Sequence, residues 1–267
     1  MLIDMFSPHW LDELTDRASG LDASNRLFLL VDGAFVPGLH KVIQTDRKLL
    51  LFALLPGCSD SARDVSPFLV PYDPDEKELS ALLRRCNRWP MLSLVETTES
   101  IEELAARLAA WCVVEAEGQR FNFRFPDTRR LPAIVQTLTQ EQRGSFAGRI
   151  KRWTYVDRAG QWKDLPNLRY AEPVAADPVL DARQFARLVD DSRADEFMVL
   201  LRNRGNDVFR APSRSHALLS VALRTASIAQ LPEDDVPQWC EWFWKQVQVH
   251  DDSAAALLMQ DWMSRST

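Results

Sequence analysis

An α/β (α+β) fold is predicted, with a mixed-sheet N-terminal lobe and flanking helices over residues 1–165 and an all-helical lobe over 166–267. Three observations predict it. Short apolar runs bounded by Gly, Pro, Asp and Ser alternate with helical patterns through the first part of the chain. From residue 182 onward the pattern is helical only. The 267 residues, 46% hydrophobic and 26% charged, have the composition of a folded globular protein, and their number allows two cores, since single cores stop growing near about 250–300 residues.

In sequence order, "SPHWLDELTDRA" reads as a short amphipathic helix with Ser7 as N-cap, Pro8 in the first turn and Trp10, Leu11 and Leu14 on one face. "RLFLLVDGA", "KLLLFALL" and "FLVPY" are three buried-strand patterns. "DPDEKELSALLRRCNRW" is a helix capped by Asp73, with early acids and late arginines that complement its dipole. "MLSLVET" is a strand. "TESIEELAARLAAWC" is a helix with Thr98 as cap and Ile101, Leu104, Leu108 and Trp111 as its apolar stripe. "VVEAE" and "RFNFRF" form a hairpin across "EGQ"; Phe121, Phe123 and Phe125 alternate with Asn122 and Arg124, so one face is buried. "DTRRLPAIVQTL" and "TQEQRGSFAG" are helical, the first either starting with an irregular turn or beginning at Pro132. "IKRWTYVDRAGQW" is a strand followed by a turn at 158–160.

Residues 164–181 contain three prolines and little periodicity, the pattern of a linker or surface strap. Four helical segments follow. In "VPQWCEWFWKQVQVH" a helical wheel places Val236, Trp239, Cys240, Phe243 and Val247 on one face, with Trp242 roughly 120° and Trp244 roughly 80° from its centre. Either the helix is enclosed on most sides, or Trp242 and Trp244 belong to a partner-binding surface, where tryptophan is over-represented.

The chemistry-bearing residues are sparse. Thirty-two basic against 38 acidic residues give a net charge of −6, which disfavours nucleic acid and anionic lipid as partners. The N-terminal segment lacks a basic stretch followed by an apolar one, and "LLLFALL" is far shorter than the roughly 20 residues of a membrane span, so a soluble, cytoplasmic protein is expected. Nine glycines form no phosphate-binding loop and no nucleophile elbow. His9, His40, His216 and His250 are isolated, so neither a metal nor a cofactor is expected. Cys58, Cys86, Cys112 and Cys240 lie far apart and read as free, mostly buried thiols. Asp32, followed by Gly33 at the end of the first strand, is a turn residue first and a catalytic carboxylate second, since no second carboxylate, lysine or glycine-rich loop stands near it in sequence.

The order of "RLFLLVDGAFVPGL", "KLLLFALLPG", "VSPFLVPYD", "PMLSLVET" and "SIEELAARLAAWCVVEAEGQRFNFRFPDTRRLPAIVQTLTQEQRGSFAGRIKRWTYVD" resembles the type VI secretion effector adaptors, or effector chaperones, of the domain-of-unknown-function family numbered 4123. Asp32 and Gly33 occupy that family's Asp-Gly position, residues 67–70 its strand motif, and Arg124, Phe125 and Asp127 its arginine-aromatic-aspartate segment. Pro126 stands where an aromatic is common and Thr128 where proline is common, which shifts the start of the next helix. The resemblance implies a non-enzymatic adaptor that binds the N-terminal region of a secreted toxic effector and helps load it onto the spike tip (VgrG-type) protein. The effector contact is expected on the helical lobe, at Trp242 and Trp244 with Trp239 and Phe243 beside them. The alternatives are an immunity protein, or a hydrolase using Asp32 and Asp127 as acid and base.

Overall fold

The computed structural model describes residues 1–166, 168, 177–246 and 252–266. Its strands are β1 (Arg26–Val31), β2 (Leu49–Leu50), β3 (Phe68–Pro71), β4 (Leu92–Thr97), β5 (Val113–Ala116), β6 (Gln119–Asn122), β7 (Ile150–Val156), β8 (Trp162–Asp164) and β9 (Val179–Leu180). The α-helices are α1 (Trp10–Ser19), α2 (Asp60–Asp64), α3 (Lys77–Cys86), α4 (Ile101–Ala110), α5 (Leu131–Thr137), α6 (Gln140–Ala147), α7 (Ala182–Asn203), α8 (Pro212–Ile228), α9 (Val236–Gln246) and α10 (Asp252–Ser266). The fold class is mixed α/β, as the patterning predicts.

The protein forms two compact units, one of Met5–Leu188 and the other of Met1–Asp4 with Val189–Thr267. Sequence patterning set the division at 165 and 166; the compact units divide inside α7. The first turns of α7 belong with the α/β unit because Phe185 and Leu188 pack against its core and Gln184 Nε2 donates to Thr137 O at 2.9 Å. Half of the proline-containing stretch read as a linker, residues 167 and 169–176, lies outside the described residues.

In the α/β unit a six-stranded sheet runs in the order β2-β3-β1-β4-β7-β8, and each neighbouring pair is antiparallel. A parallel pairing, β5 with β9, occurs in a second sheet of order β6-β5-β9. β1 is central and buried along five of its six residues. Phe28 and Leu30 face the larger core with Leu69, Val95 and Trp153, against Leu104 and Leu108 of α4, Ile134 of α5 and Phe146 of α6. Leu27, Leu29 and Val31 alternate onto the opposite face and are buried too. Both sheet faces are therefore covered, which is why β1 reads as a continuous apolar run.

Helix starts are where local chemistry corrects the sequence reading. α1 begins at Trp10, with His9 rather than Ser7 at the cap position, because Ser7 instead closes a turn: its carbonyl accepts from Trp10 N at 3.1 Å. Asp73 likewise forms a turn, its Oδ1 accepting from Asp75 N at 3.0 Å, and α3 begins only at Lys77. α4 is capped by Ser100 rather than Thr98; Ser100 and Glu103 form a reciprocal capping box, whereas Thr98 lies in the bend that precedes it. Thr139 and Gln142 cap α6 in the same way. The turn before Pro132 is the irregular one: Arg130 and Leu131 N–H groups both return to Asp127 O, and α5 starts at Leu131.

Two strand readings are also corrected. "KLLLFALL" contributes only Leu49–Leu50 to the sheet, after which Phe52–Leu54 coils into a 3-10 turn. β6 ends at Asn122, and Phe125 N folds back to Phe123 O at 2.8 Å, so Phe123 and Phe125 are buried from a bent segment while Phe121 is half-buried on the strand. The hairpin turn itself is as expected, with Glu117 and Gly118 both at positive φ.

In the other unit α7, α8, α9 and α10 enclose a core of Met198, Leu201, Leu219, Trp239, Phe243 and Met259 among others. Asp4 ties the N-terminal segment to it: Asp4 Oδ1 accepts from Ser213 N at 3.3 Å and Oδ2 from the Ser213 hydroxyl, an acidic cap at the N-terminus of α8.

Candidate functional site

The residues that carry the family resemblance converge, although 92 positions separate Asp32 from Arg124. β1 ends at Val31, and Asp32 caps the 3-10 turn Gly33–Phe35 by accepting from Ala34 N at 3.0 Å. Its own N–H donates to Met91 O at 2.9 Å, just before β4. The bend after β6 delivers Arg124, whose Nη2 donates to Asp32 Oδ2 at 2.8 Å. The Asp32 side chain is 2% exposed and the Arg124 side chain 39% exposed. Burial pushes the Asp32 carboxyl above the ordinary carboxylate range; Arg124 and the Ala34 N–H oppose that shift, and the neighbouring negative charge of Asp127 adds to it.

Gly33 is required by close approach. A Cβ at this position would lie 2.3 Å from the Ser66 carbonyl oxygen, so only glycine lets the segment entering β3 pass beside the end of β1. Asp127 forms a second buried pair. Its Oδ1 accepts from Arg129 N at 3.1 Å and Nε at 3.0 Å, and its Oδ2 accepts from Arg129 Nη2 at 2.7 Å. This local Asp-x-Arg geometry shapes the turn into α5.

Phe35 joins the two ion pairs. The Arg124 and Arg129 guanidinium carbons lie 5.3 Å and 5.7 Å from its ring centroid, within cation–π range, and Trp89 stacks on it at 5.9 Å and 29°. Sequence reasoning missed Phe35, Trp89 and Arg129. The i,i+2 spacing of Asp127 and Arg129 was a usable signal; nothing in the sequence paired Phe35 with Trp89.

As an acid/base pair, Asp32 and Asp127 are poorly disposed. Each carboxylate has both oxygens engaged by donors of the protein itself, and the two side chains are 2% and 4% exposed. Cys86, Cys112 and Cys240 are buried thiols pushed up to about 12, so they carry almost no thiolate at neutral pH. Among the described residues no group of three or more His, Cys, Asp or Glu residues is gathered to hold a metal ion.

The aromatic cluster of α9 divides. Trp239 and Phe243 are fully buried, and Trp239 Nε1 donates to Ala222 O at 2.9 Å, so neither offers surface to a partner as placed. Trp242 and Trp244 are half-buried: Trp242 stacks on Trp239 at 5.7 Å and 25°, and Trp244 Nε1 donates to Ser215 Oγ at 3.0 Å. Of the residues the helical wheel placed on the core face, Val236, Trp239, Cys240 and Phe243 are buried, and Val247 lies outside the described residues. The wheel did not show that neighbours would cover part of both remaining tryptophans.

No helix among the described residues is long and apolar enough to cross a membrane. No curated protein matches this sequence, and no solved structure does. The Asp32-Gly33 turn, the β3 and β4 strands, the hairpin and the Arg124–Asp127 segment all fall within residues 27–145, which match the family described as Domain of unknown function (DUF4123).

Proposed function

We propose that the protein is a non-enzymatic adaptor that binds the N-terminal region of a toxic type VI secretion effector in the cytoplasm and helps load it onto the spike tip protein. The observation that carries this reading is the use made of the family segment's charged residues. Asp32 and Asp127 are both buried and arginine-bound, so they serve the scaffold rather than a reacting substrate. A scaffold of this kind holds surfaces in place, and recognition is what remains for those surfaces to do. On the helical unit the candidate contact narrows to the exposed edges of Trp242 and Trp244.

The test is co-expression of the full-length protein with a catalytically inactive form of the toxin encoded beside it, followed by size-exclusion chromatography with the whole toxin and with its N-terminal region. Co-elution with the N-terminal region is the expected result. Binding only to the toxic domain would make the protein an immunity protein. An absence of binding to either would overturn the adaptor reading and return Asp32 to a substrate screen. Trp242→Ala is expected to weaken co-elution while the variant stays folded; unchanged affinity would remove the helical-unit contact.

A further inference from the structure

The stretches "RRCNRW" (84–89) and "FRFPDTRR" (123–130) are brought together at the end of the six-stranded sheet where β1 stops and β4 starts. Thr128 N donates to Pro90 O at 2.9 Å. Phe35, in the turn after β1, touches both stretches: its ring stacks on Trp89 and carries the guanidinium groups of Arg124 and Arg129. Asp32 and Asp127 neutralise those two arginines. Arg84, Arg85 and Arg88 are left without a counter-charge: among the described residues none of their side chains makes an ion pair or a hydrogen bond. In a protein of net charge −6 this end is locally basic.

Arg84 and Arg85 are exposed in the last turn of α3, where positive charge complements the helix dipole, so their position has a local reason. Arg88 has none. It stands beyond the helix with φ at 69°, in the left-handed region that favours glycine and strains a residue with a side chain. The side chain is half-buried, and its Nε is enclosed without a hydrogen-bond partner. Glycine at this position would relieve the backbone and remove the orphaned donor together. Backbone strain of this kind clusters at binding sites, where contact with a partner offsets it.

The sign and the spread of these charges select the partner. Guanidinium groups present paired N–H donors that match carboxylates. The unmatched cations run from the last turn of α3 to the residue before Trp89, beside the half-buried rings of Trp89 and Phe35. A compact anion reaches only part of such a row, whereas an extended chain with several carboxylates follows it. A nucleic acid is a poorer match, because it reaches far beyond the roughly 8–10 Å over which a local charge acts in salt and meets the acidic remainder of the protein. A second copy of this surface repels the first, since like charges would face each other.

We propose that Arg84, Arg85 and Arg88 form a docking surface for an acidic segment of the effector polypeptide, its carboxylates paired with the three guanidinium groups beside Trp89 and Phe35. This rests on the adaptor reading. The test titrates the full-length protein with the full-length inactive toxin encoded beside it, using the unaltered protein, Arg88→Gly, Arg85→Glu and the double variant. Arg26→Glu is the control, because Arg26 is an exposed arginine at the opposite end of β1. Arg88→Gly and Arg85→Glu are each expected to weaken binding about threefold to tenfold and the double variant about tenfold or more, with Arg26→Glu unchanged. Added salt is expected to weaken binding by the unaltered protein more than by the double variant. The thermal midpoint of Arg88→Gly is expected to be no lower than that of the unaltered protein, which separates a binding role from a structural one. Patch variants that all bind the toxin within about twofold of the unaltered protein overturn the docking surface while the adaptor reading stands. A short DNA duplex that displaces the toxin from the unaltered protein overturns the acidic polypeptide as occupant. An absence of toxin binding by the unaltered protein overturns both readings.

Discussion

Replacing Arg124 with alanine removes the guanidinium that faces Asp32 and leaves a carboxylate 2% exposed, still accepting from the Ala34 N–H. Breaking a fully buried ion pair by deleting one partner costs about 3–5 kcal/mol, because the other charge stays buried and uncompensated. Arg124 is 39% exposed, so water screens the pair and reaches the vacated space, which reduces the expected loss to about 2 kcal/mol. The lost stacking of Arg124 on Phe35 adds about 0.5–1 kcal/mol. The sign of the pH dependence is set by Asp32. Its folded pKa is raised by burial, so between the ordinary carboxylate value of about 4 and that raised value the folded protein holds more protons than the unfolded one, and stability falls as pH rises. Arg124 opposes the rise; without it the raised value moves higher and the window widens. The penalty of Arg124→Ala is therefore smallest at the acid end, where protonation of Asp32 is favoured, and grows with pH until Asp32 is ionised. Urea denaturation of the unaltered protein, Arg124→Ala, Asp32→Asn and the double variant from pH 4 to pH 8 measures this. A penalty that is the same at both ends, or that Asp32→Asn does not relieve, would refute the reasoning.

Gly33→Ala is expected to lower the thermal midpoint through a loss of about 1–3 kcal/mol or more, because the added methyl meets the Ser66 backbone oxygen; an unchanged midpoint would mean that the two segments separate freely. In native protein at pH 8, thiol titration is expected to label Cys58 alone, with all four cysteines reacting after denaturation, since the other three thiols are buried and pushed up to about 12. Trp239→Ala should cost about 3–5 kcal/mol and Trp242→Ala only about 1 kcal/mol, read from denaturation of the full-length protein; equal losses would contradict the division of the α9 face into core and partly exposed edge.

Periodicity and turn chemistry carried most of the secondary structure. The "SIEELAARLAAWC" stripe became the buried side of α4, and the Glu117-Gly118 turn closed its hairpin, because both depend on neighbours within a few residues. The failures have a common cause. Ser7, Asp73 and Thr98 were all credible caps, but a short polar residue satisfies a turn as well as a helix end, and tertiary placement chose between them. "KLLLFALL" shows the same limit for strands: a short apolar run without alternation fits strand and 3-10 turn alike, and Ser66 Oγ, accepting from Phe52 N at 2.9 Å, is part of what curls it.

What the sequence determined by itself was the alternation of elements, the apolar face of α4, the absence of a phosphate loop or nucleophile motif, and the place of Asp32-Gly33 at the end of a strand. Only the tertiary structure decided what Asp32 touches. Its partner comes from Arg124, its turn is permitted by the passage of Ser66, and Phe35 and Trp89 meet beside it, all across sequence separations that local propensity does not sense. Hydrogen bonds and burial are properties of neighbours in space, and a linear pattern records neighbours in space only when they are also neighbours in the sequence.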